Sequence, residues 1–238
     1  MSARINRFLL EQTRHDSGEL VQPDFVVHPF AEPGRYQVDV YRHGKPVTTM
    51  MLEVSGDCAD QQLSIDLAAL ERPATKSDCS CHDGDHVQQV AKGGYVLFYV
   101  GSGSGGYSVK TYPAAAKTEK GLFDSQALQG GDLFGTTLLR PGHYKIEDKA
   151  AKLSIPLKVE PVKPGKTAYV PPDALHFDIA ELRKQKKGIQ LQQAQGLVIR
   201  TDKDNRIVIV FDDKDECGEN TPTKVARWSK GTARRRTG

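Results

Sequence analysis

What this chain lacks narrows it first. No window approaches the roughly 20 apolar residues that a membrane-spanning helix needs, so no membrane span is expected. Near the N-terminus one short apolar group, Phe8-Leu9-Leu10, is followed at once by Glu11, Arg14 and Asp16, which leaves no apolar core for a secretory leader. A cytoplasmic or virion-associated protein is expected, although a chain with its leader already removed would read the same. Four cysteines are too few to prescribe a redox compartment. The sequence contains no Gly-x-Ser-x-Gly elbow, no His-Glu-x-x-His and no complete Gly-x-x-x-x-Gly-Lys-Ser/Thr phosphate loop, so the usual marks of acyl transfer, zinc hydrolysis and phosphoryl transfer are missing. No enzyme activity and no cofactor are expected.

What is there begins with an internal repeat. From Asp16-Ser17 and again from Asp124-Ser125, a constant offset aligns Leu20 with Leu128, Asp24 with Asp132, Phe25 with Leu133 and Phe30 with Leu138. It also sets Pro33-Gly34-Arg35-Tyr36-Gln37-Val38 against Pro141-Gly142-His143-Tyr144-Lys145-Ile146. After a small insertion the match resumes, Leu63 to Leu70 against Leu175 to Leu182. Two blocks in one order point to a duplication covering about Ala3 to Pro73 and Gly106 to Lys187.

Within each block the apolar period is two, as in Tyr36, Val38, Val40 and in Leu153, Ile155, Leu157, Val159, the mark of half-buried strands. Tyr41 to Lys45 reads as a hairpin turn. Asp66 and Asp178 are placed to cap short helical turns, with Glu181 completing a capping box. Tyr95 to Val100 and Arg206 to Phe211 are apolar strands outside the repeat, and Asp202 to Asn205 reads as a hairpin turn between strands. The fold class expected is all-β: two related β-sandwich units from an internal duplication, each with a short helical turn. Residues 1–73 form the first unit, 74–92 a polar linker containing Cys and His, 93–215 the larger second unit and 216–238 a basic tail.

The Pro-Gly-x-Tyr turns ending at Tyr36 and Tyr144 resemble the tyrosine corner of immunoglobulin-like and fibronectin-like sandwiches, in which the Tyr hydroxyl bonds back to nearby backbone. Similar turns occur in cupredoxin-like sandwiches, but no copper ligand set follows either corner. The resemblance implies architecture and a structural role for Tyr36 and Tyr144. Val38 and Ile146 stand where antibody domains carry a Cys, so no inter-sheet disulfide is implied.

Three segments are candidate sites. Gly101 to Gly106 satisfies Gly-x-Gly-x-x-Gly, but the following residues alternate like a strand where a dinucleotide site needs a helix, so a flexible hairpin is expected. Cys79, Cys81, His82 and His86, with Cys58 upstream, form the densest ligand cluster and a candidate zinc site. The competing readings are a disulfide from Cys58 to Cys79 or Cys81, or free thiols, since the Cys-x-Cys spacing suits a tetrahedral ion poorly. From Lys224 onward every charge is basic, including Arg227, Lys230, Arg234, Arg235 and Arg236, which leaves the body of this +3 chain mildly acidic. Such a tail, with Trp228 as a stacking anchor, could contact nucleic acid or another polyanion.

The leading expectation is a structural or assembly subunit, such as a virion or coat component, that self-associates through the strands Tyr95 to Val100 and Arg206 to Phe211. The alternative is a ligand- or carbohydrate-binding accessory module. The third is a metal-dependent enzyme whose site is not visible in the sequence.

Overall fold

The computed structural model describes residues 7–71, 87–115, 121–163, 165 and 168–212. A short helix, α1 (Arg7–Glu11), precedes β1 (Arg14–Asp16), β2 (Phe25–Pro29), β3 (Gly34–Arg42), β4 (Lys45–Ser55) and β5 (Gln62–Asp66). The helical turn α2 (Leu67–Leu70) follows, then β6 (Gln88–Ala91), β7 (Tyr95–Tyr99) and β8 (Tyr107–Pro113). The second half runs β9 (Phe123–Asp124), β10 (Leu133–Thr137), β11 (Gly142–Asp148), β12 (Leu153–Glu160) and β13 (Leu175–Asp178). It closes with the turn α3 (Ile179–Leu182), β14 (Ile189–Gln192), β15 (Gly196–Arg200) and β16 (Ile207–Phe211). The chain is all-β, and among the described residues no helix is long and apolar enough to cross a membrane.

The strands form three sheets. A six-stranded sheet runs β13-β15-β10-β2-β7-β5, and two five-stranded sheets run β6-β4-β3-β8-β9 and β14-β12-β11-β16-β1. Period-two alternation decides their faces: on β7, Val96 and Phe98 are buried while Tyr95, Leu97 and Tyr99 are not. The buried sets merge into one apolar core that draws on both halves, including Leu20, Phe30, Val38 and Phe98 with Leu128, Leu138, Ile146 and Ile209.

The order of the six-stranded sheet reads the same from either edge. At its centre β2 and β10 pair antiparallel, with Val26 opposite Phe134, and those two residues share one place in the repeat. Outward from there each half adds one antiparallel strand, β7 or β15, and then one parallel strand, β5 or β13. The five-stranded sheets also match: Tyr36 lies opposite Leu52 and Pro113, and Tyr144 opposite Leu157 and Phe211. In each half the first strand crosses over. β1 pairs with β16 of the second half, and β9 pairs with β8 of the first.

Several expectations are corrected here. An immunoglobulin-like or related sandwich is built of two antiparallel sheets, whereas β4 and β6, β5 and β7, β12 and β14, and β13 and β15 all pair in parallel. The chain passes from one sheet to another through β4 and β5, then returns through β6 and β7 beside them, a β-solenoid-like stacking of coils. The tyrosines keep their local geometry without that fold, since Tyr36 donates to the Glu32 carbonyl and Tyr144 to the Arg140 carbonyl, each at 2.8 Å. Asp202 to Asn205 is not a hairpin turn, because β15 and β16 belong to different sheets and the tetrad carries the chain between them. Asp66 caps α2 through the Ala68 amide at 3.0 Å, but Asp178 makes no cap and holds Arg200 instead. Within the segment expected to be linker, Gln88 to Ala91 form β6, paired with β4. The Tyr41 to Lys45 hairpin is present, with His43 and Gly44 both at positive φ (49° and 74°), as a tight two-residue turn requires.

Candidate functional site: the outer face of the six-stranded sheet

One face of the six-stranded sheet closes the core. The other carries side chains that are mostly half-buried or exposed. Register lines up two central rows across it. The first is Asp66, Tyr99, Phe25, Gly135, Val198 and His176, and the second Ser64, Leu97, Val27, Leu133, Arg200 and Asp178. Phe25, Leu97, Tyr99, Leu133 and Val198 are half-buried, and Tyr95 beside them is 40% exposed. Gly135 belongs to this face because a Cβ there would run into the Phe25 ring, which lies across the strand.

The face carries two hollows at matching places. In the first half Gln22, Pro23, Phe25, Ser64, Leu97, Tyr99 and Gly101 line a cavity of about 470 Å³. In the second, Leu133, His176, Asp178, Glu181, Val198 and Arg200 line one of about 300 Å³. The backbone registers correspond, so the difference is in side chains. Tyr99 gives way to Arg200, Ser64 to His176, and Phe25 to Leu133. Arg200 spans the second hollow in a bidentate pair with Asp178 (2.5 and 2.9 Å).

Comparison with known proteins returns no matching family model, no matching curated protein and no matching solved structure.

Two carboxylates border the first hollow, and three of their four oxygens are held by amides or a ring nitrogen. Asp66 Oδ1 accepts from the amides of Ala68 (3.0 Å) and Gly101 (2.9 Å). Asp24, fully buried, accepts from His15 Nδ1 at 2.7 Å and from the Val21 amide at 3.3 Å. Gln22 bridges the rim to the Gly101 carbonyl at 3.1 Å. The glycine-rich segment shapes this end. A Cβ at Gly101 would meet the Asp66 carboxylate, and one at Gly105 would meet Val21 and the Leu20 carbonyl. Its glycines serve close approach of chain to chain where the segment crosses from β7 to β8, and because those strands belong to different sheets the expected hairpin is not formed.

Two further polar clusters lie elsewhere. Asp132, the counterpart of Asp24, accepts from His28 Nδ1 at 2.6 Å and from the Gln129 amide at 2.7 Å. The His28 ring is buried against Phe30 and Phe123, and its Nε2 has no partner among the described residues. On another surface, Arg42 binds Glu71 through both carboxylate oxygens (2.9 and 2.8 Å), and Tyr107 donates to Glu71 at 2.5 Å. The Tyr107 hydroxyl, and after it Arg42, holds the Glu71 carboxyl below its ordinary range. Burial, then that same hydrogen bond, pushes Tyr107 up to about 12. Since these groups satisfy one another, the cluster works as a latch from α2 to β3 and β8. Arg183 makes the corresponding latch from α3 to Asp148 and Asp202.

Of the residues expected from sequence, Cys79, Cys81, His82 and His86 lie outside the described residues, as do Arg227, Lys230, Arg234, Arg235 and Arg236. Cys58, half-buried, sits just after β4. Among the described residues no three His, Cys, Asp or Glu side chains converge as metal ligands. Sequence reasoning missed the outer-face hollow, although the alternation of Tyr95, Leu97 and Tyr99 against buried neighbours was a usable signal. It also missed His15 and His28 as partners of the repeated aspartates.

Proposed function

We propose that the protein is a binding module, without catalysis, that docks its ligand on the outer face of the six-stranded sheet. The observation that carries this is the set of half-buried apolar side chains Phe25, Leu97 and Tyr99 that line a cavity of about 470 Å³. Concave sites lined by apolar and aromatic side chains with a few polar groups commonly bind ligands. The self-assembly reading loses the strands it relied on. Both β7 and β16 have neighbours on each side within the chain, so neither offers a free edge. We also infer that the scaffold arose by duplication of an eight-strand unit, extending the repeat through β8 and β16. The matching strand orders and registers of the two halves support that extension.

The test is titration with Nile red, a neutral apolar probe. Saturable binding that Leu97→Lys removes at an unchanged unfolding midpoint is the expected result. Absence of saturable binding to the folded protein, or binding indifferent to Leu97→Lys, would sink the proposal.

A further inference from the structure

Resting on that reading, we infer that the ligand of the Phe25/Leu97/Tyr99 hollow is a neutral saccharide, whose ring presents an apolar C–H face to the aromatic side chains and its hydroxyls to the polar rim.

Area sets the first limit. Six strands about 4.8 Å apart and about five residues long, at about 3.4 Å each, make a face of roughly 500 Å². A stable protein interface of standard size buries about 800 Å² on each partner. The face is small for a second folded chain and ample for a short oligomeric ligand.

Charge narrows the chemistry. Asp24 and Asp66 stand at the walls of the hollow, with both oxygens of Asp24 held by His15 and the Val21 amide and Oδ1 of Asp66 held by the amides of Ala68 and Gly101. No Lys or Arg lines this hollow, so an anionic ligand would lose hydration without gaining a counter-charge. What the hollow offers is the aromatic rings of Phe25 and Tyr99, the aliphatic side chain of Leu97, and neutral polar groups at Gln22 and Ser64. Aromatic faces with hydroxyl and amide groups at the edge suit a ligand that is apolar on one side and hydroxylated around its rim.

The second hollow is a built-in contrast. On a corresponding backbone, Arg200 and Asp178 close over the position held by Tyr99 and Asp66 in the first. One full chain therefore contains an aromatic hollow without Lys or Arg and a counterpart that carries an ion pair, and the saccharide belongs to the first alone.

The experiment is native affinity electrophoresis of the full chain in gels carrying a soluble β-glucan, a glucomannan or a dextran, run beside the Nile red titration. Retardation by at least one polysaccharide is expected, weakened roughly tenfold or more by Tyr99→Ala, as loss of a stacking contact of about 1.4 kcal/mol implies. Arg200→Ala in the second hollow should leave it unchanged. Oligosaccharide fragments of the retarding polymer should also displace Nile red from the unsubstituted protein, a readout that needs no variant to fold. Retardation insensitive to Tyr99→Ala would overturn the assignment. If Nile red binds but no saccharide retards or displaces it, the saccharide inference fails and the binding face stands. If Nile red does not bind either, both fail.

Discussion

Replacing Tyr144 by Phe should make the protein less stable at neutral pH and more stable than its parent above about pH 11, a reversal worked from one hydroxyl. Tyr144 is 2% exposed, packs edge-on against Phe211 at 5.1 Å, and donates to the Arg140 carbonyl at 2.8 Å. Losing one such hydrogen bond costs about 1 kcal/mol net. Burial pushes the Tyr144 hydroxyl up to about 12 from its ordinary 10.0, with Arg140 offsetting a little. A group whose folded pKa is raised gives stability that is complete below the unfolded value and lost as pH climbs through the folded one. The window is therefore pH 10 to 12. At about 1.4 kcal/mol per unit, the loss is bounded by roughly 2.7 kcal/mol. The phenylalanine of the variant has no proton to lose. Urea unfolding of both proteins from pH 7 to 11.5 should give curves that start about 1 kcal/mol apart and cross near pH 11. Tyr107, pushed up to about 12 as well, contributes equally to both and cancels in the difference. Parallel curves, or a Phe variant as stable as the parent at pH 7, would refute the reasoning.

Two other outcomes follow from the scaffold. A protease site placed within residues 116–120 and cleaved in the folded protein should leave the halves eluting together, because β1 and β9 are exchanged, β2 pairs with β10 and the core is shared; separation under native conditions would show that the halves stand alone. Asp132→Ala should cost roughly 2 to 5 kcal/mol in denaturant unfolding by stranding both the His28 ring N–H and the Gln129 amide. Adding His28→Leu should recover part of that loss, and strictly additive costs would mean that the pair does not act as a unit.

The all-β character was legible because alternation reports directly which side of a strand meets the core. Tyr36 and Tyr144 were legible as turn anchors because their hydrogen bonds are local, four residues back along the chain. The pairing was not. A period of two says which face a strand buries and nothing about its neighbour, so β7 and β16 looked like candidate free edges when each is an interior strand. The parallel pairs β4 with β6 and β5 with β7 join segments separated by a long stretch of chain, and no turn residue announces them. The buried imidazoles were hidden for a different reason. Asp24 and Asp132 align in the repeat, but His15 occupies the place of Phe123, and His28 the place of Thr136. Both partners come from the first half, His15 for Asp24 and His28 for Asp132, and Thr136 Oγ1 lies 3.0 Å from His15 Nδ1. The hollow itself is assembled from three separate segments, Gln22 to Phe25, Ser64 and Leu97 to Gly101, which only register brings together.

That the outer face of the six-stranded sheet is the binding surface can be tested most directly by amide chemical-shift mapping during titration with the soluble polysaccharide fragment that retards the protein, or with Nile red if none does. Shifts concentrated at Phe25, Ser64, Leu97, Tyr99 and Gly101, with the matching amides around His176 and Arg200 unmoved by the saccharide, are the expected result. Shifts confined to the outer strands of either five-stranded sheet, or spread evenly over the chain, would contradict it.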